Sequence, residues 1–334
     1  MKRRHLLLPA LAASLSLAGP AWAQGLRERL AQRREMGREA QPGDFEWTDA
    51  ERQRAVPLRL RLPAGEAPCP LVLFSHGLGG DLNAGSLWSD AWAVAGIATL
   101  HLQHPGSDRS VLRSGPRALR TAANAQQLQA RALDVRFVLD ELARRAAEHP
   151  RLRLDRIGLA GHSFGAHTTL AVAGQHFPRG ATLADPRPRA FAAFSPSPPN
   201  GGDATAAFGS LRRPVLCLTG SLDGSPLVPE GDPNRREGAW RRAVYDALPA
   251  GDKAELWLDG ADHMSFGGQA VGGAMARLRE RDPRASAQAE RHQALIAAVS
   301  SDWWRAQLLD DAAARARLSQ TPAHLKEADA WRRG

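Results

Sequence analysis

Short, mostly apolar runs alternate along the chain with longer stretches in which apolar residues return every three or four positions, and polar turns rich in glycine and proline separate the two kinds. The runs at residues 71–75, 97–102, 156–160, 190–194, 214–219 and 254–258 have the continuous apolar character of strands buried on both faces of a parallel sheet. Residues 45–48 and 56–62 read as two further strands that form a hairpin-like entry to the sheet. Helical spacing occurs at 87–95, at 124–148 (Leu128, Leu133, Val135, Phe137, Val138, Leu142), at 164–173 and at 293–309, the last helix of the chain; Pro150 stops the second of these. Strands and helices alternating in this way predict an α/β fold, with a mostly parallel central sheet of about eight strands flanked by helices. Fewer than about twenty residues separate the sixth strand from the seventh, which leaves room for a rim loop but not for a large cap domain. The stretch 267–291 is longer and is placed to border a site.

Chemistry enters at the turn between the strand at 156–160 and the helix at 164–173. There Gly161-His162-Ser163-Phe164-Gly165 sets a serine between two glycines. A strand-to-helix turn that tight strains the serine backbone and brings neighbouring chain close, and it lifts the Ser163 hydroxyl above the sheet edge where a base can reach it. A serine hydroxyl is a poor nucleophile at neutral pH, so it needs a base and a group that orients the base. Asp223, in the polar loop after strand seven, and His263, in the loop after strand eight, follow in the order serine, acid, histidine. Asp262 competes for the acid role, but adjacent side chains in an extended loop project in different directions, so Asp223 is assigned to it. The turn His76-Gly77-Leu78-Gly79-Gly80 after strand three offers the backbone N–H of Leu78, and the residue after the nucleophile offers that of Phe164; together they make an oxyanion hole. No Gly-Lys-Ser/Thr follows this turn, which argues against a phosphate loop.

These elements carry a specific resemblance. His76-Gly77, Gly161-His162-Ser163-Phe164-Gly165, Asp223 and Asp262-His263 resemble the oxyanion, nucleophile, acid and base elements of the α/β-hydrolase superfamily. Within it the chain looks like the bacterial group related to platelet-activating-factor acetylhydrolases and dienelactone hydrolases. The further matches are His104-Pro105-Gly106-Ser107-Asp108 and Trp303-Trp304-Arg305-Ala306-Gln307-Leu308, and the resemblance spans residues 44–334. Dienelactone hydrolases proper use a cysteine nucleophile, whereas this chain has Ser163, which points to ester hydrolysis of the serine type. The resemblance implies a serine carboxylic ester hydrolase acting on short-chain or acetyl esters, a lipid ester among them. A polyester or cutin-type depolymerase, a lactonase, and an exported binding protein on a hydrolase scaffold are the alternatives.

Other residues read more plainly. His162 is a packing and hydrogen-bonding neighbour of the nucleophile and not a second base, and Trp303 and Trp304 are core and rim aromatics. His101, His104 and Asp108 match no standard ligand spacing, so neither a metal nor a cofactor is expected. His104, Phe194, Met264 and Phe266 are expected, from loop position, to line the substrate pocket. Cys69 precedes strand three and Cys217 lies inside strand seven, which the usual order places several strands away; that separation predicts two free buried thiols.

Composition adds a compartment. Hydrophobic residues make up 43% of the chain, enough for one large core, and no solenoid period repeats. Lys2, Arg3 and Arg4, the apolar residues 6–17 and Ala21-Trp22-Ala23 form the three regions of an export signal. The expected organisation is therefore a signal peptide at 1–23, a mobile linker at 24–43 and a hydrolase domain at 44–334, in the periplasm or medium. The formal charge of +9 falls to +6 without the signal. Its arginines are dispersed and not interleaved with aromatics, which excludes a nucleic-acid partner and leaves at most weak attraction to anionic surfaces. No obligate protein partner is evident. N-terminal sequencing of protein recovered from the periplasm or medium should begin at Gln24. An uncleaved cytoplasmic chain as the main active form would overturn the export reading. Replacing Arg3 and Arg4 by lysine should block export only if the route is the twin-arginine one.

Overall fold

In a computed structural model of the chain, the described residues are 42–115, 118, 121–199, 202–225, 228, 231–269 and 282–334. The export signal and residues 24–41 of the expected linker lie outside them. Nine strands form one sheet: β1 (Pro42–Asp49), β2 (Arg54–Arg61), β3 (Cys69–Ser75), β4 (Ala98–Leu102), β5 (Leu152–His162), β6 (Pro188–Phe194), β7 (Val215–Leu222), β8 (Lys253–Asp262) and β9 (Ala330–Arg333). Their spatial order is β1-β2-β4-β3-β5-β6-β7-β8-β9. The strands from β4 through β8 run parallel, whereas β1, β2 and β9 pair antiparallel at the two ends. The helices are α1 (Ser86–Val94), α2 (Ala125–Arg144), α3 (Phe164–Ala173), α4 (Ala204–Phe208), α5 (Ala243–Ala247), α6 (Pro283–Ala287), α7 (Ala289–Leu308) and α8 (Ala312–Leu318).

Strand alternation divides the core between the two faces of the sheet. Leu71, Leu73, Leu159, Phe191, Val215 and Cys217 turn toward α2 and α3, where Val135, Val138, Leu139 and Leu170 meet them. Val72, Phe74, Ala160, Phe194, Leu216 and Leu218 turn the other way, toward Trp88 and Trp92 of α1 and Trp303 and Trp304 of α7. The continuous apolar runs of β3, β6 and β7 follow from this, because both faces of each strand are covered.

Several boundaries differ from the sequence reading. β1 begins at Pro42, so Pro42 and Gly43 belong to the sheet and not to a linker. The helix expected at 293–309 begins at Ala289 and is not the last, since α8 and the edge strand β9 follow it. β9 is short and carries Ala-Trp-Arg-Arg, a pattern too polar to read as a strand; its Arg332 donates to Glu255 of β8 at 2.7 Å. Trp303 and Trp304 are both buried, with no rim member. α7 is covered on two sides, so Trp303 donates to the Phe191 carbonyl of β6 at 3.1 Å while Trp304 meets Trp92 edge-on, ring centroids 5.7 Å apart. Cys69 and Cys217 are free and buried on β3 and β7, with β5 and β6 between them.

The topology positions the site. Chain order reverses between β4-β3 and β5, and ligands of open α/β sheets bind outside the carboxyl ends of the strands at such a point. The turn after β5 packs against the end of β3 without any room for side chains. A Cβ on Gly165 would lie 1.9 Å from the Ser75 carbonyl oxygen, and one on Gly161 would lie 2.3 Å from the Gly165 carbonyl oxygen. Gly165→Ala should therefore cost about 3 kcal/mol or more in a urea unfolding titration, or yield no folded protein. Gly43→Ala, with nothing within 4 Å, should change stability by less than about 1 kcal/mol. Equal behaviour of the two variants would refute the close approach.

Candidate active site

Parallel strands in register end side by side, and the residues that follow them come together. Ser163 follows β5, Ser195 follows β6, Asp223 follows β7 and His263 follows β8. The Ser163 N–H donates to the Phe194 carbonyl at 2.9 Å and the Ser195 N–H to the Leu218 carbonyl at 2.7 Å, so each turn is stitched to the neighbouring strand. Ser163 has φ 56° and ψ −115°, a positive φ that L residues adopt only when the surroundings enforce it. Here the enforcing parts are β5 on one side and α3, which starts at the next residue, on the other.

The structure brings Ser163, His263 and Asp223 into one chain of hydrogen bonds. His263 Nε2 lies 2.9 Å from Ser163 Oγ, and His263 Nδ1 lies 2.7 Å from Asp223 Oδ1. With Asp223 ionised, Nδ1 carries the proton and donates, which leaves Nε2 free to accept from the serine hydroxyl. Asp223 is fully buried. Burial pushes its carboxyl upward, but the Arg241 charge and the hydrogen bonds from His263 and Ser195 outweigh that and hold it at about 2. The Ser195 hydroxyl donates to Asp223 Oδ1 at 2.7 Å and sits 2.8 Å from His263 Nδ1, while Thr219 Oγ1 donates to Asp223 Oδ2 at 2.8 Å. Asp262 does something else. Its carboxylate accepts from the Ser265 N–H at 2.9 Å and from the Ser265 hydroxyl at 2.7 Å, capping the short turn His263–Phe266 that presents the imidazole.

The turn after β3 lies against Ser163. A Cβ on Gly77 would be 3.4 Å from Ser163 Cβ, and among the described residues neither the Leu78 N–H nor the Phe164 N–H donates to another group of the protein. Phe164 is the first residue of α3, where a helix leaves its N–H groups without intrahelical partners and its dipole favours negative charge. Buried Arg131 of α2 ties the turn down. Its guanidinium donates to the His76 carbonyl, to Ser107 Oγ at 2.9 Å and to Thr168 Oγ1 at 2.8 Å, and it lies 4.8 Å from the centre of the Phe164 ring.

The expected pocket wall is corrected in three of its four members. His104, Phe194 and Phe266 show no exposed surface, and only Met264 is part-exposed beside His263. Phe194 stacks on Trp88 in the core, and the carbonyl of Phe266 accepts from the Trp88 indole at 3.0 Å. His104 belongs to a second serine–histidine–aspartate chain, in which its Nε2 lies 2.7 Å from Ser75 Oγ and its Nδ1 3.0 Å from Asp134 Oδ2. All three residues are fully buried, so no substrate reaches them. What they support is the turn after β3, because the His104 N–H donates to His76 Nε2 at 2.9 Å. His162 donates from Nε2 to the His263 carbonyl at 2.9 Å. Burial holds the His162 imidazole down at about 3 and, helped by Arg131, the His104 imidazole at about 4, so both stay neutral.

Ser195, Thr219, Arg131 and Arg241 were not singled out by the sequence reading. Ser195 had a usable signal, since it is the first residue after a parallel strand adjacent to the one that Ser163 follows. The arginines had none: Arg241 is one of 44 basic residues and stands 18 positions from the carbonyl it binds. Among the described residues, no group of three or more His, Cys, Asp or Glu could hold a metal ion, and no helix is long and apolar enough to cross a membrane.

Sheet order, paired helix layers and a serine on a strained turn after β5 together make this the α/β-hydrolase fold. No family model and no curated protein sequence matches the chain. Among solved structures, the crystal structure of 2,6-dihydroxy-pseudo-oxynicotine hydrolase is similar at a TM-score of 0.52 and 16% identity, over 86% of this chain and 74% of that one. A cold-adapted esterase from an Arctic intertidal metagenomic library, in complex with PEG, is similar at a TM-score of 0.47 and 19% identity, over 68% of this chain and 87% of its own.

The two aspartates are separable by experiment. Asp223→Asn should lower kcat roughly a thousand- to ten-thousand-fold with the fold intact, because the ring loses the partner that fixes its tautomer. Asp262→Asn should cost less than about tenfold. Steady-state kinetics on folded variants in which Asp262→Asn is inactive and Asp223→Asn near wild type would reverse the assignment.

Proposed function

We propose that the chain is an exported serine hydrolase that cleaves carboxylic esters of short acyl groups through an acyl-enzyme. The observation that carries this reading is the unbroken relay from Ser163 Oγ through His263 to Asp223 at 2.9 and 2.7 Å, beside two undonated backbone N–H groups. In the first step His263 Nε2 takes the hydroxyl proton as Ser163 Oγ bonds to the ester carbonyl carbon, and the oxyanion accepts from the N–H groups of Leu78 and Phe164. Asp223 stabilises the imidazolium that results. The imidazolium then gives its proton to the departing alcohol as the carbon–oxygen ester bond breaks. Water, deprotonated by the same histidine, attacks the acyl-enzyme and releases the acid.

In its motifs the chain resembles the bacterial group related to platelet-activating-factor acetylhydrolases, and acetyl esters of lipids are the substrates that this resemblance suggests. Short acyl groups are also supported by the segment between β6 and β7, in which the described residues form one helix, the five-residue α4, and no cap domain. A hydrolase of named specificity built on the same fold adds only that hydrolysis is at home on it. Export rests on the basic, apolar and Ala-Trp-Ala regions of residues 1–23.

A panel of p-nitrophenyl esters from acetyl to palmitoyl, run beside a polyester film, tests the proposal. kcat/KM should peak at about two to eight acyl carbons with no jump at the micellar threshold. Ser163→Ala should lose roughly ten-thousand-fold or more, and a fluorophosphonate probe should label wild type at Ser163 alone. A long-chain optimum with interfacial activation would overturn the substrate class. Absence of both labelling and turnover would leave a binding protein on a hydrolase scaffold.

A further inference from the structure

Arg241 lies in the short turn Ala239–Arg242 before α5 and is 2% exposed. Its guanidinium is spent on the acid side of the site. Nε lies 3.1 Å from Asp223 Oδ1 and donates to the Asp223 carbonyl at 2.6 Å, while Nη2 donates to the Gly224 carbonyl at 3.2 Å. Nη1 reaches across to the chain after β6, to the carbonyls of Ser195 at 3.2 Å and Pro196 at 3.1 Å and to the Ser197 hydroxyl. Nη2 also stands 3.4 Å from His263 Nδ1. The backbone is shaped for this approach. A Cβ on Gly238 would lie 2.0 Å from the Gly220 carbonyl oxygen, so the turn that delivers Arg241 meets the end of β7 only because residue 238 has no side chain.

Resting on the triad reading above, we propose that Arg241 is a positioning residue that sets the acid limit of the reaction, by holding the Asp223 loop against the β6 loop and keeping the His263 imidazole in its free-base form. An ionised carboxylate without exposed surface needs a counter-charge, and Arg241 supplies it. The same charge opposes a second positive charge on the ring beside it. Asp223 alone would stabilise the imidazolium and hold the base protonated into the neutral range; with the guanidinium 3.1 Å from the same oxygen, part of that attraction is cancelled. Among the described residues, the other titratable groups around the ring are His162 of β5, whose ring centre is 4.8 Å away and whose Nε2 donates to the His263 carbonyl, and Asp262 on the residue before it, engaged with Ser265. His162 is neutral and Asp262 is common to wild type and variants, so a change at Arg241 reads the guanidinium alone.

The test is the rate of fluorophosphonate labelling of Ser163 from pH 4.5 to 9, which needs no knowledge of the substrate. In Arg241→Gln, or in Arg241→Met should the first not fold, the acid limb should move up by about half to one pH unit. That is a roughly three- to tenfold slower labelling on the limb, beyond any loss of plateau rate. Arg241→Lys keeps the charge and loses most of the fork, so its limb should stay near that of wild type while its plateau falls. A limb in the neutral variants superimposable on wild type overturns the proposal, as does a Lys limb displaced as far as theirs; a purely structural role moves plateaus and not limbs. The wild-type profile needs no variant: it should hold its plateau down to about pH 6, and a decline beginning near pH 7.5 overturns the proposal. No labelling of wild type at any pH, or undiminished labelling of Ser163→Ala, overturns the triad reading itself.

Discussion

The close approach of the turn after β5 to the end of β3 is the constraint on which the rest depends. Gly161 and Gly165 leave the backbone of that turn in contact with itself and with the Ser75 carbonyl, where no Cβ fits. Ser163, between them, is held at φ 56°. Its strain persists because both flanking elements are locked, β5 by pairing with β3 and β6 and α3 by burial in the core. The reward is positional. The same contact sets Ser163 beside the Gly77 turn and beside the first N–H of a helix, so that its hydroxyl and two undonated backbone N–H groups share one small volume.

Two buried guanidinium groups hold the parts on either side. Arg131 fastens the turn after β3 to α3 and to the loop after β4, and Arg241 fastens the loop after β7 to the loop after β6. Each spans segments that the sheet alone leaves free to move. A buried charge that loses its partner typically costs 3–5 kcal/mol, which makes these clamps expensive to open and keeps the distances among Ser163, His263 and Asp223 narrow. The two serine–histidine–aspartate chains teach a related point. Ser75–His104–Asp134 matches Ser163–His263–Asp223 atom for atom in connectivity, yet it lies wholly inside the fold, so it can order a neighbouring turn but cannot meet a substrate. Hydrogen-bond connectivity does not make a reaction; access to a carbonyl carbon and a place for its oxyanion do.

The sequence by itself determined the layers and which chemistry-bearing side chains meet at one end of the sheet. Continuous apolar runs can be buried only on both faces of a sheet, and a serine between glycines at a strand end has few other uses, so β3 through β8, Ser163, Asp223 and His263 were legible from local pattern and order. What surrounds them was decided only in three dimensions. Phe194, Phe266 and His104 sit at strand ends or in loops, where position suggests a pocket wall, but a side chain there turns inward or outward according to pleat and register, and all three turned inward. β9 gained its place from pairing with β8 and from Arg332 meeting Glu255, neither of which leaves a trace in four residues. Ser195, Thr219, Arg131 and Arg241 became part of the site because separate segments converge on one end of the sheet. Their contacts join residues distant in the chain, and a contact of that kind has no periodicity or motif to announce it before the chain has folded.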